Sequence, residues 1–214
     1  MKRLLMLFLC IGLIFCMSAC IEPDVSDEEP DVADEKPVIY LYPTEEMNVN
    51  VELDYNGTLT TTYPEYNDGW NVLASPDGTL IDPVTEREYY CLFWEGTSDV
   101  EYDFSKGFVV KREDTRAFLE DSLAKLGLTQ KEANEFIIYW LPRLEQNEYN
   151  LIAFQDEVYK ENTELIITPA ADTTIRVFMA WKGLEEPIEI EPQVLEAPER
   201  VGFVAVEWGG TEIK

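Results

Sequence analysis

The chain contains no histidine. That removes the commonest general base, the Ser-His-Asp and Cys-His nucleophile arrangements, and most zinc centres. Cysteine is nearly as scarce. Cys10 and Cys16 lie in the apolar start and Cys20 directly follows it, which leaves Cys91 alone in the remainder, unable to form an internal disulfide there. Cys91 sits in the apolar run Tyr89-Tyr90-Cys91-Leu92-Phe93-Trp94, so it reads as a buried, inert thiol; a nucleophile without an imidazole partner is poorly motivated. Bases are few as well: 16 Lys and Arg stand against 43 Asp and Glu, a net charge of −27. So acidic a chain lacks the basic footprint that nucleic-acid phosphates demand and is repelled by anionic lipid. It suits cations or a basic partner, or simply keeps an exported protein soluble.

What is present begins at the N-terminus. Lys2 and Arg3 precede an apolar run, Leu4 to Met17, that falls short of the ~20 residues a membrane-spanning helix needs. Ser18-Ala19 follow as small residues. This layout predicts a secretory signal over 1–19. Met17-Ser18-Ala19-Cys20 resembles the bacterial lipobox, in which the chain is cut before the cysteine and the thiol receives a diacylglyceryl group. The plain alternative is a secreted protein with an incidental cysteine. Stable anchoring takes about two acyl chains, and a diacylglyceryl group supplies both. The resemblance therefore implies lipidation at Cys20 and a place on the outer face of the bacterial cytoplasmic membrane.

Residues 20–36 are expected to form the lipidated cysteine and an acidic tether. Eight of the sixteen residues in IEPDVSDEEPDVADEK are Asp or Glu, two are Pro and none is aromatic. Such a segment cannot bury enough apolar surface to offset its ordering entropy and is expected to be disordered. Residues 37–214 then form one domain of net charge −22.

Within that domain the pattern changes twice. Asn56-Gly57, Asp68-Gly69 and Asp77-Gly78 are tight-turn dipeptides. The short runs 49–53, 58–63, 70–74, 79–81 and 88–95 between and beside them predict an antiparallel meander over 38–96. Phe118, Leu119, Leu123 and Leu126 then recur at helical spacing, with Gly127 placed as a helix terminator. Thr129 and Glu132 form a capping-box signature before a second apolar face of Phe136, Ile137, Trp140, Leu141 and Leu144, which Pro142 should kink or shorten. Strand-like runs return at 150–154, 164–168, 174–181, 188–190 and 201–208. The order predicts an α+β fold: an antiparallel β meander or sandwich with an αα-hairpin inserted between two groups of strands.

Two segments stand out for chemistry. Trp94-Glu95-Gly96 and Glu207-Trp208-Gly209-Gly210 each put an indole beside a carboxylate at a strand end, next to glycine. That combination suits sugar recognition, and two carboxylates ~5–10 Å apart could hydrolyse a glycoside without histidine. The competing reading is that Trp94 and Trp208 are core and Glu95 and Glu207 are solvated. Glu65, Asn67 and Asp68 are hard oxygen donors near a sharp turn, a candidate cation loop; an ordinary polar turn reads equally from the same residues. No catalytic residue, metal site or cofactor is assigned.

The segments Lys36-Pro37-Val38-Ile39-Tyr40-Leu41-Tyr42-Pro43, Trp94-Glu95-Gly96, Glu135-Phe136-Ile137-Ile138-Tyr139-Trp140-Leu141-Pro142 and Glu207-Trp208-Gly209-Gly210-Thr211-Glu212-Ile213 together resemble a group of uncharacterised exported bacterial proteins of Gram-positive genomes. The resemblance implies a single domain starting near Lys36 and carries over no activity. The expected function is a non-catalytic binding or interaction module at the cell envelope. Its expected partners are the bilayer, through Cys20, and a cell-wall glycan or envelope protein. The alternative is a carboxylate-dependent glycan hydrolase at the cell surface.

Overall fold

The computed structural model describes residues 32–214. The expected signal, Cys20 and the tether up to residue 31 lie outside the described residues. In chain order the strands are β1 (Val32–Tyr42), β2 (Met47–Tyr55), β3 (Thr58–Tyr63), β4 (Trp70–Ala74), β5 (Leu80–Ile81), β6 (Glu88–Tyr89), β7 (Leu92–Ser98) and β8 (Phe108–Lys111). Helices α1 (Thr115–Lys125) and α2 (Gln130–Leu144) follow, then β9 (Tyr149–Gln155), α3 (Glu157–Asn162), β10 (Thr163–Thr168), β11 (Thr173–Leu184) and β12 (Val204–Glu212).

The strands form two mostly antiparallel sheets. A seven-stranded sheet has the order β3-β7-β1-β12-β11-β9-β8, and a five-stranded sheet the order β10-β2-β4-β5-β6. The larger sheet is covered on both faces, which is why its central strands carry apolar residues at consecutive positions rather than alternating ones. In β1, Val38 and Tyr40 join a core with the helices, while Ile39 and Leu41 join a second core with the smaller sheet. In β12, Val206 and Trp208 face the helix side and Ala205 the sheet side.

On α1, Leu119 and Leu123 are buried at a four-residue spacing; Phe136, Trp140 and Leu144 repeat that spacing on α2. The capping box at Thr129 is formed: the Thr129 hydroxyl accepts from the Glu132 amide at 3.4 Å, and the Glu132 carboxylate accepts from the Thr129 amide at 2.7 Å. Pro142 lies inside α2, which ends two residues later at Leu144; lacking an amide hydrogen, it cannot donate to the carbonyl four residues earlier. Among the described residues no helix is long and apolar enough to cross a membrane.

Several sequence expectations need correction. The ordered domain begins before residue 37. Val32, Ala33 and Asp34 pair with Ser98, Thr97 and Gly96 of β7, and Asp34 is fully buried. Residues 38–96 are not one meander, because β1, β3 and β7 enter the large sheet while β2, β4, β5 and β6 enter the small one. The run 88–95 is divided between β6 and β7, which lie in different sheets. Residues 188–190 form no strand; a single bridge joins Glu191 to Lys106. They lie in the connection between β11 and β12, which are parallel and so need a long crossover in place of a turn. Arg200 fastens that crossover, donating to the Gly127 carbonyl at 3.2 Å and pairing with Glu132.

Candidate functional site

The two tryptophan–glutamate segments lie on β7 and β12, with β1 between them. Alternation along each strand sends neighbouring side chains to opposite faces. Trp94 therefore faces the space between the sheets, and so does Glu207. The Trp94 indole donates to a Glu207 carboxylate oxygen at 3.1 Å. The other Glu207 oxygen accepts from Arg176 at 2.7 Å, and both side chains are almost wholly excluded from solvent. Arg176 also donates to the Thr163 carbonyl at 2.7 Å and lies over the Tyr159 ring, 4.6 Å from its centre. Burial of Arg176 opposes its charge, but the Glu207 carboxylate holds its pKa above the ordinary value.

A second buried carboxylate lies in the same layer. Asp34 accepts from the Tyr55 hydroxyl at 2.9 Å and the Tyr102 hydroxyl at 2.5 Å. Burial pushes its pKa up to about 6 against the pull of those two bonds, and Glu207 adds to the rise. The three charges sit in the packed interior with Phe178, which stacks on Tyr159 at 4.1 Å. Glu207 and Asp34 are wholly excluded from solvent and the Arg176 side chain nearly so, which makes loss of either partner of the ion pair costly.

Glu95 and Trp208 point the other way, towards the helices. Trp208 is buried against Phe136, with ring centres 5.3 Å apart. Glu95 is half-buried, and its carboxylate accepts from the Lys36 backbone amide at 3.4 Å. Glu95 and Glu207 thus lie on opposite faces of one sheet, and the four sequence-selected residues do not share a cleft. All five tryptophans are buried, Trp70 and Trp181 included, so no indole is presented to a ligand. The glycines beside them serve packing. A side chain at Gly96 would collide with the Tyr55 ring, and one at Gly210 would come within 2.8 Å of Trp140.

The Glu65, Asn67 and Asp68 side chains are exposed on the turn between β3 and β4. The turn is tied by its own aromatic residues: Trp70 donates to the Pro64 carbonyl at 2.8 Å, and the Leu53 amide donates to the Tyr66 hydroxyl at 2.7 Å. Asn67 and Asp68 take left-handed backbone angles, φ 35° and 62°, which their side chains tolerate better than most. Among the described residues no group of three or more His, Cys, Asp or Glu is arranged to hold a metal ion. Cys91 is half-buried, and burial pushes its thiol up to about 11.

Sequence reasoning missed Asp34, Arg176, Tyr159 and Tyr102. Asp34 was hidden in a run of acids that reads as a tether. Arg176 carried a signal that was available: it is a base between the apolar residues Ile175 and Val177 in the run from Ile175 to Trp181.

A protein from Butyrivibrio fibrisolvens described as "Uncharacterized protein in bglA 3'region" is 47% identical over 62 residues, covering 28% of this chain and 62% of that protein. The chain thus spans less than two thirds of that relative's length. No family model matches the chain, and no solved structure matches it.

Proposed function

We propose that the protein is a lipoprotein held on the outer face of the bacterial cytoplasmic membrane through Cys20, where its folded body acts as a non-catalytic binding or interaction module of the cell envelope. We read the body as an α+β domain in which α1 and α2 form an αα-hairpin inserted between two groups of strands. The anchor rests on the Met17-Ser18-Ala19-Cys20 segment after its apolar run. Two acyl chains there hold the body at the membrane, and the acidic residues from 21 to 31 space it away from anionic headgroups.

The observation that carries the non-catalytic reading is the burial of Glu207 in its bonds to Arg176 and Trp94. A retaining or inverting glycosidase needs two carboxylates facing one sugar. Here Glu207 and Glu95 face opposite sides of a sheet, so the hydrolase alternative loses the pair on which it was built. The expected partners are the bilayer, through the acylated cysteine, and a wall glycan or envelope protein. Metabolic labelling with a fatty-acid analogue and detergent partitioning test the anchor. Wild-type protein is expected in the detergent phase with label, and the Cys20→Ala variant is expected without label. An unlabelled wild-type protein in the aqueous phase refutes the anchor.

A further inference from the structure

Strand β11 outruns its neighbour β9. Pairing between them stops at Phe178 and Gln155, where β9 gives way to α3, so β11 runs from Thr173 to Val177 with β12 alone beside it. Backbone groups point alternately to the two sides of a strand. Thr173 donates to the Phe203 carbonyl and Trp181 accepts from the Ile213 amide, both on the β12 side. Thr174 and Arg176 therefore turn their amides and carbonyls the other way, to the side that β9 has left. Among the described residues no hydrogen bond reaches those four groups. Arg176 is half-buried although its side chain is only 6% exposed, so the part of it that solvent reaches is backbone.

Across the gap runs the crossover between β11 and β12. Its residues 193–198 belong to no strand. Gln193, Leu195 and Ala197 are half-buried while Val194, Glu196 and Pro198 are exposed, the alternation of an extended chain. The Gln193 side chain takes the place of a strand beside β9, accepting from the Phe154 amide and donating to the Phe154 carbonyl, both at 2.8 Å. No side chain does this for Thr174 or Arg176. A cavity of about 290 Å³ lies between the crossover and β11. Its two faces differ. Leu126, Ile175, Val177 and Leu195 line it from the helix-side core. Thr174 faces the other way, as Phe178 does, and the Asp156–Lys160 ion pair at the start of α3 also borders the cavity.

We propose that this slot receives an extended peptide segment of a partner protein in which apolar and basic residues alternate. A strand added there continues the line of β9 and takes the two unpaired amides and two unpaired carbonyls. Bonding to both Thr174 and Arg176 spans about 7 Å, so roughly three residues of the guest enter. Its successive side chains point to opposite faces, one set to Leu126 and Leu195 and the other to the polar rim. Lys160 is paired with Asp156 and Arg176 with Glu207. Among the described residues this leaves Glu196 as the unpaired charge at the cavity, on a chain of net charge −27, which favours a basic guest. The assignment rests on the reading of the protein as an envelope interaction module and names the chemistry of its partner.

The test is titration of the full-length protein in neutral detergent with an end-blocked hexapeptide of alternating valine and lysine, read by amide hydrogen exchange. A Kd tighter than about 1 mM is expected. At ten times Kd, exchange of the Thr174 and Arg176 amides is expected to slow about tenfold, while the Thr173 and Ile175 amides, which face β12, stay unchanged. A fully N-methylated peptide keeps the charge but cannot donate to a strand edge, and is expected to bind about tenfold more weakly or worse, as is a peptide with glutamate in place of lysine. Thr174→Pro removes one slot-facing amide without removing a ladder bond and is expected to weaken binding about tenfold at an unchanged urea midpoint. A Kd weaker than about 10 mM overturns the proposal. So does equal binding by the N-methylated or the acidic peptide, or by folded Thr174→Pro. Protection of the same amides that rises with protein concentration alone would put a second copy in the slot and also overturn it. Protein that sediments with purified cell walls but ignores the peptide loses the slot and keeps the module reading. Protein that takes the peptide at the slot but leaves walls unbound supports the slot, and the module reading loses its wall partner.

Discussion

Arg176 and Glu207 occupy paired positions on the parallel strands β11 and β12, and their side chains meet at 2.7 Å inside the protein. This ion pair, with the Trp94 indole on its second carboxylate oxygen, joins three strands of the large sheet through side chains as well as through the backbone. Removing one partner of a buried pair strands the other charge in the interior.

Glu207→Gln is therefore expected to destabilise the fold by about 3–5 kcal/mol, although shape and volume barely change. Combining it with Arg176→Met is expected to cost less than the sum of the two single changes. Glu95→Gln is expected to stay within about 0.5 kcal/mol of wild type, as for other surface changes. Urea unfolding of the four variants checks this. Equal small losses at Glu95 and Glu207 would show that the buried pair does not hold the sheet.

Asp34 makes stability depend on pH. Burial pushes its folded pKa up to about 6, above the ordinary aspartate value of about 3.9, so between those values the folded state binds more protons than the unfolded state. Stability is then expected to fall as pH rises from about 4 to about 6, by roughly 3 kcal/mol, and the Asp34 contribution is flat above that. Asp34→Asn keeps hydrogen bonds available to Tyr55 and Tyr102 and is expected to abolish this slope. Chemical unfolding at pH 4, 5, 6 and 7 for both proteins decides it; an unchanged slope in the variant contradicts the assignment.

Thr129→Ala is expected to cost about 0.5–2 kcal/mol by leaving an amide at the start of α2 without its acceptor, and Thr129→Asn much less. Glu132→Ala is expected to cost more than Thr129→Ala, because Glu132 also receives Arg200 from the crossover before β12. Thermal melts of the three variants rank them.

Truncation tests where the domain starts. A chain of residues 32–214 is expected to melt within a few degrees of residues 20–214. One beginning at Pro37 loses three pairings with β7 and both tyrosine bonds to Asp34, and is expected to melt far lower. Equal melting of both would mean that Val32 to Lys36 adds nothing to the fold.

The legible parts of the sequence were those governed by local rules. The capping box at Thr129, the helical faces around Leu123 and Trp140, and the runs that became β2, β3, β4, β9, β10 and β11 all follow from spacing and turn chemistry. Sheet membership was not legible, because pairing β1 with both β7 and β12 joins residues more than fifty positions apart. The start of β1 was hidden for another reason. Asp34 and Glu35 are indistinguishable from tether acids until Tyr55, Tyr102 and Tyr139 are seen to receive them. Of the selected site residues, Trp94 and Glu207 do meet, but as interior structure; Glu95 is left half-buried on the other face beside Lys36, whose bulge no pattern announces.

The most direct test of the account is a single incubation of the full-length protein with purified cell-wall sacculi, followed by measurement of both sedimented protein and released reducing ends. The account predicts that the protein sediments with the walls and that reducing ends stay at the level of a no-protein control. Release of reducing ends that rises with protein concentration, or protein that remains wholly in the supernatant, would contradict it.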